Sequence, residues 1–250
     1  MDIMFQNRVL VVIPAYNEAG RIGKVIRAVQ RAMSSLKIPS VNILVVNDCS
    51  TDSTEQEARE AGATVLSHPV NLGYGASLET GYLYASQNSF DIVFQMDGDG
   101  QHLAEEIPSV LSLVMEGRTD IALGSRYLSG KSSYYTPFVR RMGQKFFARI
   151  FSLLTKQTVT DPTSGFQCLN RKVFEWYAEG HFPRDFPDID VLIAAHFAGF
   201  RLMEAPVSMA EREGGTSIHS GLRPFYYFVK MILSVFIVLL NRRRWNTDVS

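Results

Sequence analysis

The stretch Phe94–His102, "FQMDGDGQH", sets two carboxylates, Asp97 and Asp99, one residue apart among glycines, with an amide (Gln101) and an imidazole (His102) close behind. In extended or turn geometry residues i and i+2 can face the same way, and Gly98 and Gly100 leave the backbone open to a close ligand. Carboxylates in this arrangement suit a hard cation such as Mg²⁺ or Mn²⁺, with phosphate oxygens completing its shell. The same residues would also make an Asx-type turn that caps the helix after them. Where the fold puts the turn decides between the two.

Other polar groups fall at comparable positions. Asp48 closes the apolar run of "ILVVNDCSTDST", where a carboxylate can accept hydrogen bonds from a nucleobase or ribose, or cap a helix together with Thr51 and Asp52. In "NLGYGAS", Asn71–Ser77, Gly75 would let the turn pass close to a ligand phosphate or ribose. That turn matches neither the dinucleotide fingerprint nor the phosphate loop ending in Gly-Lys-Ser/Thr, which argues against dehydrogenase and ATPase chemistry. Arg126, Arg140, Arg141, Arg212 and Lys230 are candidate phosphate ligands, since the arginine fork matches phosphate oxygens. Arg126 stands out because it follows directly on an apolar run.

The elements that must position these groups alternate through the first half. Apolar runs at Val9–Ile13, Val41–Val46, Thr64–Leu66, Ile92–Met96 and Ile121–Gly124 read as strands. Between them, Ile22–Leu36, Ser53–Ala61, Ala76–Ser86 and Glu105–Met115 read as helices. Strands separated by helices specify βαβ units and a mostly parallel sheet, with ligands bound at the strand C-termini. Asp48, Asp97 and Arg126 all fall at that edge. Beyond Arg126 the expectation is a loop at Ser129–Pro137, an amphipathic basic helix at Phe138–Leu154, a turn at "TDPTSGF", a helix at Asp190–Phe197 and a strand at Leu202–Val207. Glu211–Gly221, polar and rich in Gly and Ser, reads as loop.

With 250 residues, 46% of them hydrophobic and 20% charged, the chain has enough apolar mass for a full core. The formal charge is zero but unevenly placed, with 15 acidic and 8 basic residues in 1–125 against 10 and 17 in 126–250. An acidic half beside a basic half suits a cleft taking a cation on one side and an anionic partner on the other, or simply two solvated faces. The zero total argues against nucleic acid as partner. Two cysteines, Cys49 and Cys168, make no disulfide framework and fit a reducing compartment. No signal peptide is expected, because the apolar run near the start reads as a first core strand.

From Pro224 to Leu240 the only charge is Lys230, and "NRRRW" follows. A span needs roughly 20 apolar residues, so this run reads as an interfacial membrane helix, a subunit contact or part of the core. The three arginines and Trp245 fit an anionic headgroup region. The expected organisation is therefore a catalytic unit, residues 1–221, followed by an apolar helix and basic tail, 222–250.

Six segments in order, "VVIPAYNEAGRI", "VVNDCSTDST", "NLGYGASLETGY", "MDGDGQH", "ALGSRY" and "TDPTSGF", with "EREGGTSIHSGLRPF" after them, resemble the family 2 inverting glycosyltransferases. Within that family they resemble the branch of dolichyl- and polyprenyl-phosphate sugar synthases. The resemblance runs from Val11 to about Lys230 and implies a GT-A fold and hexosyl transfer from a UDP- or GDP-sugar to a lipid phosphate. It implies that Pro14, Tyr16, Glu18 and Asp48 line the nucleotide pocket, and that Asp97, Asp99 and Gln101 hold Mg²⁺ or Mn²⁺. Arg126, Arg141 and Ser164 look like acceptor-phosphate binders, and Arg212 like the residue that closes over the diphosphate. His219 matches less firmly.

Many relatives continue into transmembrane helices. This chain resembles compact members held at the cytoplasmic face of the cell membrane, peripheral or monotopic, for envelope biosynthesis, or else a truncated relative. A saccharide hydroxyl is the alternative acceptor, with Asp161 as base. Other readings are a nucleotidyltransferase, which the N-terminal segment fits poorly, and a non-catalytic nucleotide-sugar-binding scaffold.

Overall fold

A computed structural model describes residues 7–34, 36, 40–128, 138–183, 187–210 and 223–242. Strands β1 (Arg8–Ala15), β2 (Ser40–Asn47), β3 (Thr64–Ser67), β4 (Ile92–Gln95) and β5 (Ile121–Ser125) alternate with helices α1 (Ile22–Ser34), α2 (Thr54–Glu60), α3 (Tyr74–Gln87) and α4 (Ile107–Met115). A short 3₁₀ turn, Ala104–Glu106, leads into α4, whose first turn carries Pro108, where a missing N–H costs nothing. The second half holds α5 (Phe138–Thr155), β6 (Gln167–Asn170), α6 (Arg171–Trp176), a π-helical turn at Tyr177–His181, α7 (Ile189–Phe197), β7 (Leu202–Pro206) and α8 (Arg223–Leu240).

The sheet order is β3-β2-β1-β4-β6-β5-β7. β1 pairs in parallel with β2 and β4, β2 with β3, and β5 with β7, whereas β6 runs antiparallel to both β4 and β5. The sheet is therefore mixed, and β6 with α6 is absent from the sequence expectation. Only Cys168 and Leu169 of β6 are buried, too short a run for alternation to announce a strand.

Alternation along the strands splits the apolar residues between two layers. Val9, Val11 and Ile13 pack with Ile22, Ile26 and Val29 of α1 and Ile107 and Val110 of α4. Leu10 and Val12 face α3 and a second cluster that includes Phe147 and Phe151 of α5, Val173 and Phe174 of α6, Leu192 of α7 and Met231, Val235 and Val238 of α8. Helix α3 lies so near β1 that a Cβ placed on Gly81 would fall 2.4 Å from Val12 Cγ1. Helix α8 thus lends one face to the core. Its other face exposes Val229, Ile232, Leu233, Phe236, Ile237 and Leu240. No helix among the described residues is long and apolar enough to cross a membrane.

Candidate active site

The acidic turn lies at the C-terminal end of β4. Met96 N–H still donates to Val12 O, 3.1 Å, so the chain leaves the sheet at Asp97. Asp99 Oδ1 accepts the Gln101 amide at 3.0 Å, and Gly100 takes φ +82°, a conformation that favours glycine. The Asx turn expected from the sequence is thus present. It is built by Asp99 and leaves Asp97 with a different set of neighbours.

Asp97 is gripped from two sides. Its backbone N–H donates to His102 Nδ1 at 2.9 Å, and its Oδ1 accepts the Tyr74 hydroxyl at 3.0 Å. His102 is buried against Phe166, ring centroids 5.0 Å apart. Burial lowers its pKa, outweighing the opposite pull of Asp97 and Asp99. A neutral ring that accepts at Nδ1 carries its proton on Nε2. Burial of the hydroxyl, then the charge of Asp97, raises the Tyr74 phenol well above its ordinary value, so it stays a donor. Asp188, at the N-cap of α7, adds to the negative field on Tyr74. The described side chains that contact Asp97 are therefore uncharged, and about a third of its own side chain is exposed, 36%.

Two partly exposed carboxylates on a strand-end turn fit a hard divalent cation. Among the described residues no cluster of three or more His, Cys, Asp or Glu could hold one. A cation here would take its remaining oxygens from ligand and water, as Mg²⁺ does beside phosphates. Gln101, the third expected ligand, uses its backbone on both sides: its amide donates to Asp99 and its carbonyl accepts Ala210 N–H at 2.9 Å. His102 bridges Met209 in the same way.

Arg126 is built differently from the expectation of a cleft-facing phosphate ligand. It is 6% exposed, and its Nε and Nη2 clamp Asp161 Oδ2 and Oδ1 at 2.6 and 2.7 Å, while Asp161 itself is fully buried. Glu204 of β7 in turn accepts the amides of Thr160 and Asp161. Burial pushes the Glu204 carboxyl upward, against the pull of those amides. Ser164, also buried, donates to Gly124 O at 2.6 Å. The "TDPTSGF" turn is thus fastened to the ends of β5 and β7.

The remaining expected residues spread around this centre. Asp48 is buried and accepts the amides of Leu72 and Gly73, both at 2.8 Å, with His68 Nδ1 also 2.8 Å from its Oδ1. It therefore anchors the loop entering α3, and does not cap α2. Pro14 is a buried member of β1, and Gly75 is buried in the first turn of α3. Tyr16 is 49% exposed just past β1. Glu18 pairs with Arg21 at 2.7 Å. Arg141 is exposed on α5. Arg212 and His219 lie outside the described residues, as does the side chain of Arg140. Cys49 and Cys168 are free thiols. The sequence reading missed Tyr74 and His102 as partners of Asp97. Their only signal was a tyrosine between two glycines and an imidazole entering a helix.

Residues 10–177 match the family described as Glycosyl transferase family 2. The chain belongs to that family. It is a glycosyltransferase with a GT-A type fold. Among its relatives, polyprenol monophosphomannose synthase of Mycolicibacterium smegmatis is 30% identical over 226 residues, 86% of this chain and 82% of that protein. Undecaprenyl-phosphate mannosyltransferase of Micrococcus luteus is 27% identical, covering 86% of this chain and 88% of its own. In fold, the chain resembles glucosyl-3-phosphoglycerate synthase of Mycobacterium tuberculosis bound to Mn²⁺, UDP and glucosyl-3-phosphoglycerate, with a TM-score of 0.65, 20% identity and coverage of 94% and 80%.

Proposed function

We propose that this glycosyltransferase moves a hexose, with inversion, from a UDP- or GDP-sugar to a polyprenyl phosphate, using Mg²⁺ or Mn²⁺ at Asp97 and Asp99. The observation that carries the reading is the acidic turn itself: a partly exposed carboxylate at the C-terminal sheet edge, oriented by Tyr74 and His102 and contacted by no cationic side chain among the described residues. Bound there, the cation would neutralise the diphosphate leaving group.

The acceptor follows from what the acidic turn's neighbour does not offer. Asp161, the base a saccharide hydroxyl would call on, is buried and clamped by Arg126. A phosphate monoester is already largely anionic at neutral pH, its second ionisation lying at about 6. It asks for orientation more than for a base. Relatives named for polyprenol and undecaprenyl phosphates support the same choice. In this reading Arg141, exposed on the basic helix α5, meets the acceptor phosphate. Arg126 and Ser164 hold the loop beside it, and Arg212 pairs with the diphosphate. Pro14, Tyr16, Glu18, Asp48 and Gly75 shape the nucleotide side. Residues 1–221 carry the catalysis, and 222–250 rest on a membrane surface through the apolar outer face of α8.

The test is a donor panel of UDP- and GDP-hexoses with Mn²⁺, offered against undecaprenyl phosphate, phosphoglyceric acid and a disaccharide, with products weighed by mass spectrometry. The expected product is a lipid-phosphate hexose. Transfer only to phosphoglyceric acid would move the reading to a soluble phosphate acceptor. Transfer only to the disaccharide would overturn it.

A further inference from the structure

Tyr74 belongs to no element of the expected chemistry, yet its hydroxyl bonds Asp97 of the acidic turn and borders the "TDPTSGF" turn. It opens α3 immediately after Gly73, and the loop before it is fixed by Asp48, which accepts the Leu72 and Gly73 amides. From that fixed start its hydroxyl reaches Asp97 Oδ1 at 3.0 Å. On the other side lies Gly165 of the "TDPTSGF" turn. A Cβ built on Gly165 would stand 3.0 Å from Tyr74 Oη and 3.3 and 3.4 Å from the two Asp97 carboxylate oxygens. Gly165 has no positive φ, so what a side chain there would meet is Tyr74 and Asp97 and not backbone strain.

We propose that Tyr74 is a positioning residue that sets the rotamer of Asp97 for the cation, and that Gly165 is the bare surface against which that Tyr74–Asp97 pair is seated. The inference rests on the reading of Asp97 as a cation ligand. Its physical content is orientation. A carboxylate on an exposed turn samples several rotamers, and ordering it beforehand removes that loss from the binding step. A hydrogen bond from a phenol to an ionised carboxylate is of the stronger kind. The turn that faces the acceptor then also bears on the donor-side ligand, through one tyrosine hydroxyl.

The experiment titrates Mn²⁺ into the full chain, followed by the electron paramagnetic resonance of unbound Mn²⁺, with inorganic pyrophosphate present as the diphosphate probe. Four variants are compared with the parent: Tyr74→Phe, Gly165→Ala, the two combined, and Asp97→Asn. Thermal unfolding checks that each is folded. Tyr74→Phe keeps the ring and is expected to weaken Mn²⁺ binding about fivefold to tenfold, the loss of one charge-assisted hydrogen bond. Gly165→Ala is expected to weaken it to a similar degree. Added to Tyr74→Phe it should do little more, because its tightest contact, the hydroxyl, has gone. Asp97→Asn should abolish binding.

If Asp97→Asn loses Mn²⁺ while Tyr74→Phe binds as tightly as the parent or more tightly, the positioning role is wrong and the cation site stands. If Asp97→Asn binds as the parent does, the cation site is wrong and the positioning role goes with it. Independent, fully additive losses from Tyr74→Phe and Gly165→Ala would overturn the shared seat.

Discussion

Asparagine at position 161 should cost the protein about 3 kcal/mol of stability, near the lower end of the range for breaking a buried ion pair from one side. Asp161 accepts Arg126 Nε at 2.6 Å, Nη2 at 2.7 Å and the Arg126 amide at 3.2 Å, with the two side chains 0% and 6% exposed. Asparagine keeps one acceptor oxygen but sets an amide against the guanidinium, and it removes the Asp161 charge that faces the buried Arg126. A loss of about 3 kcal/mol is a large part of the roughly 5–15 kcal/mol available to a folded domain. In a chain of this size it corresponds to a fall in Tm of about 6–12 °C. Urea unfolding followed by far-ultraviolet circular dichroism reads the free energy directly, provided the slope with denaturant is unchanged.

The control is a double-mutant cycle with Arg126→Met and Asp161→Leu. Replacing both partners with apolar groups removes the stranded charge, so the double variant should recover at least half of the summed single losses. A loss under about 1 kcal/mol for Asp161→Asn, or strict additivity around the cycle, would refute the reasoning. The same measurement separates two roles. A catalytic base at position 161 predicts lost turnover with an unchanged melt, whereas the buried pair predicts that the melt moves.

Three further outcomes are expected. Gly81→Ala would drive a methyl to 2.4 Å from Val12 Cγ1; overpacking of about 1–3 kcal/mol outweighs the helix-propensity gain of roughly 1 kcal/mol, so a variant melting at or above the parent would show that α3 is seated otherwise. Asp190, buried on α7 and accepting the Ser234 hydroxyl of α8, has its pKa raised by burial, against the pull of that bond. The folded state therefore holds its proton more tightly than the unfolded chain, and this group's contribution is greatest below the unfolded pKa and lost as pH rises through the folded one. Asp190→Asn should accordingly gain in Tm over the parent from pH 4 to pH 8, and a constant difference across that range would contradict the assignment. Glutamine at Leu233, Phe236 and Ile237, each 56–57% exposed, should leave the melt unchanged and cut binding to vesicles containing anionic lipid about tenfold or more; unchanged flotation would remove the membrane role, and a change in oligomeric state instead would assign the face to a second copy.

Much of this architecture is legible because the first half writes it twice, as short apolar runs for the buried strands and as helical spacing for the helices between them. Val9 to Ile13 is an unbroken apolar run that becomes a strand buried on both faces, and Ile22 to Met33 carries the helical period and is buried at Ile22, Val25, Ile26, Val29 and Met33. The acidic turn is legible for the same reason, since a strand end is a place that periodicity can locate. Partnership is not. Arg126 appears in the sequence as a cation at a sheet edge, and its partner lies 35 residues away, in a turn whose neighbours cannot be read from spacing. For Asp48 the spacing leaves a ligand role and an α2 cap both open, and nothing local says that Leu72 and Gly73 return to it. Hydrogen-bond capacity of a buried group is decided by tertiary approach, and a single chain of letters carries only the local half of it.

The unforeseen strand explains how the two halves of the site meet. In a purely parallel sheet the residues entering a strand lie at the edge opposite to the ligand-binding one. β6 is reversed: Gln167 pairs with Gln95, and Asn170 with Ile92. Its entering residues therefore emerge beside the C-terminal end of β4, which is where Asp97 leaves the sheet. This reversal carries Asp161, Ser164 and Gly165 to the same edge as the acidic turn, with Phe166 packed on Phe94, ring centroids 4.8 Å apart, and on His102. A parallel β6 of identical sequence would send the "TDPTSGF" turn to the far side of the sheet, and neither the Tyr74–Gly165 contact nor the placement of Arg126 against Asp161 could form. The antiparallel strand thus brings the "TDPTSGF" turn and the acidic turn together at one edge of the sheet.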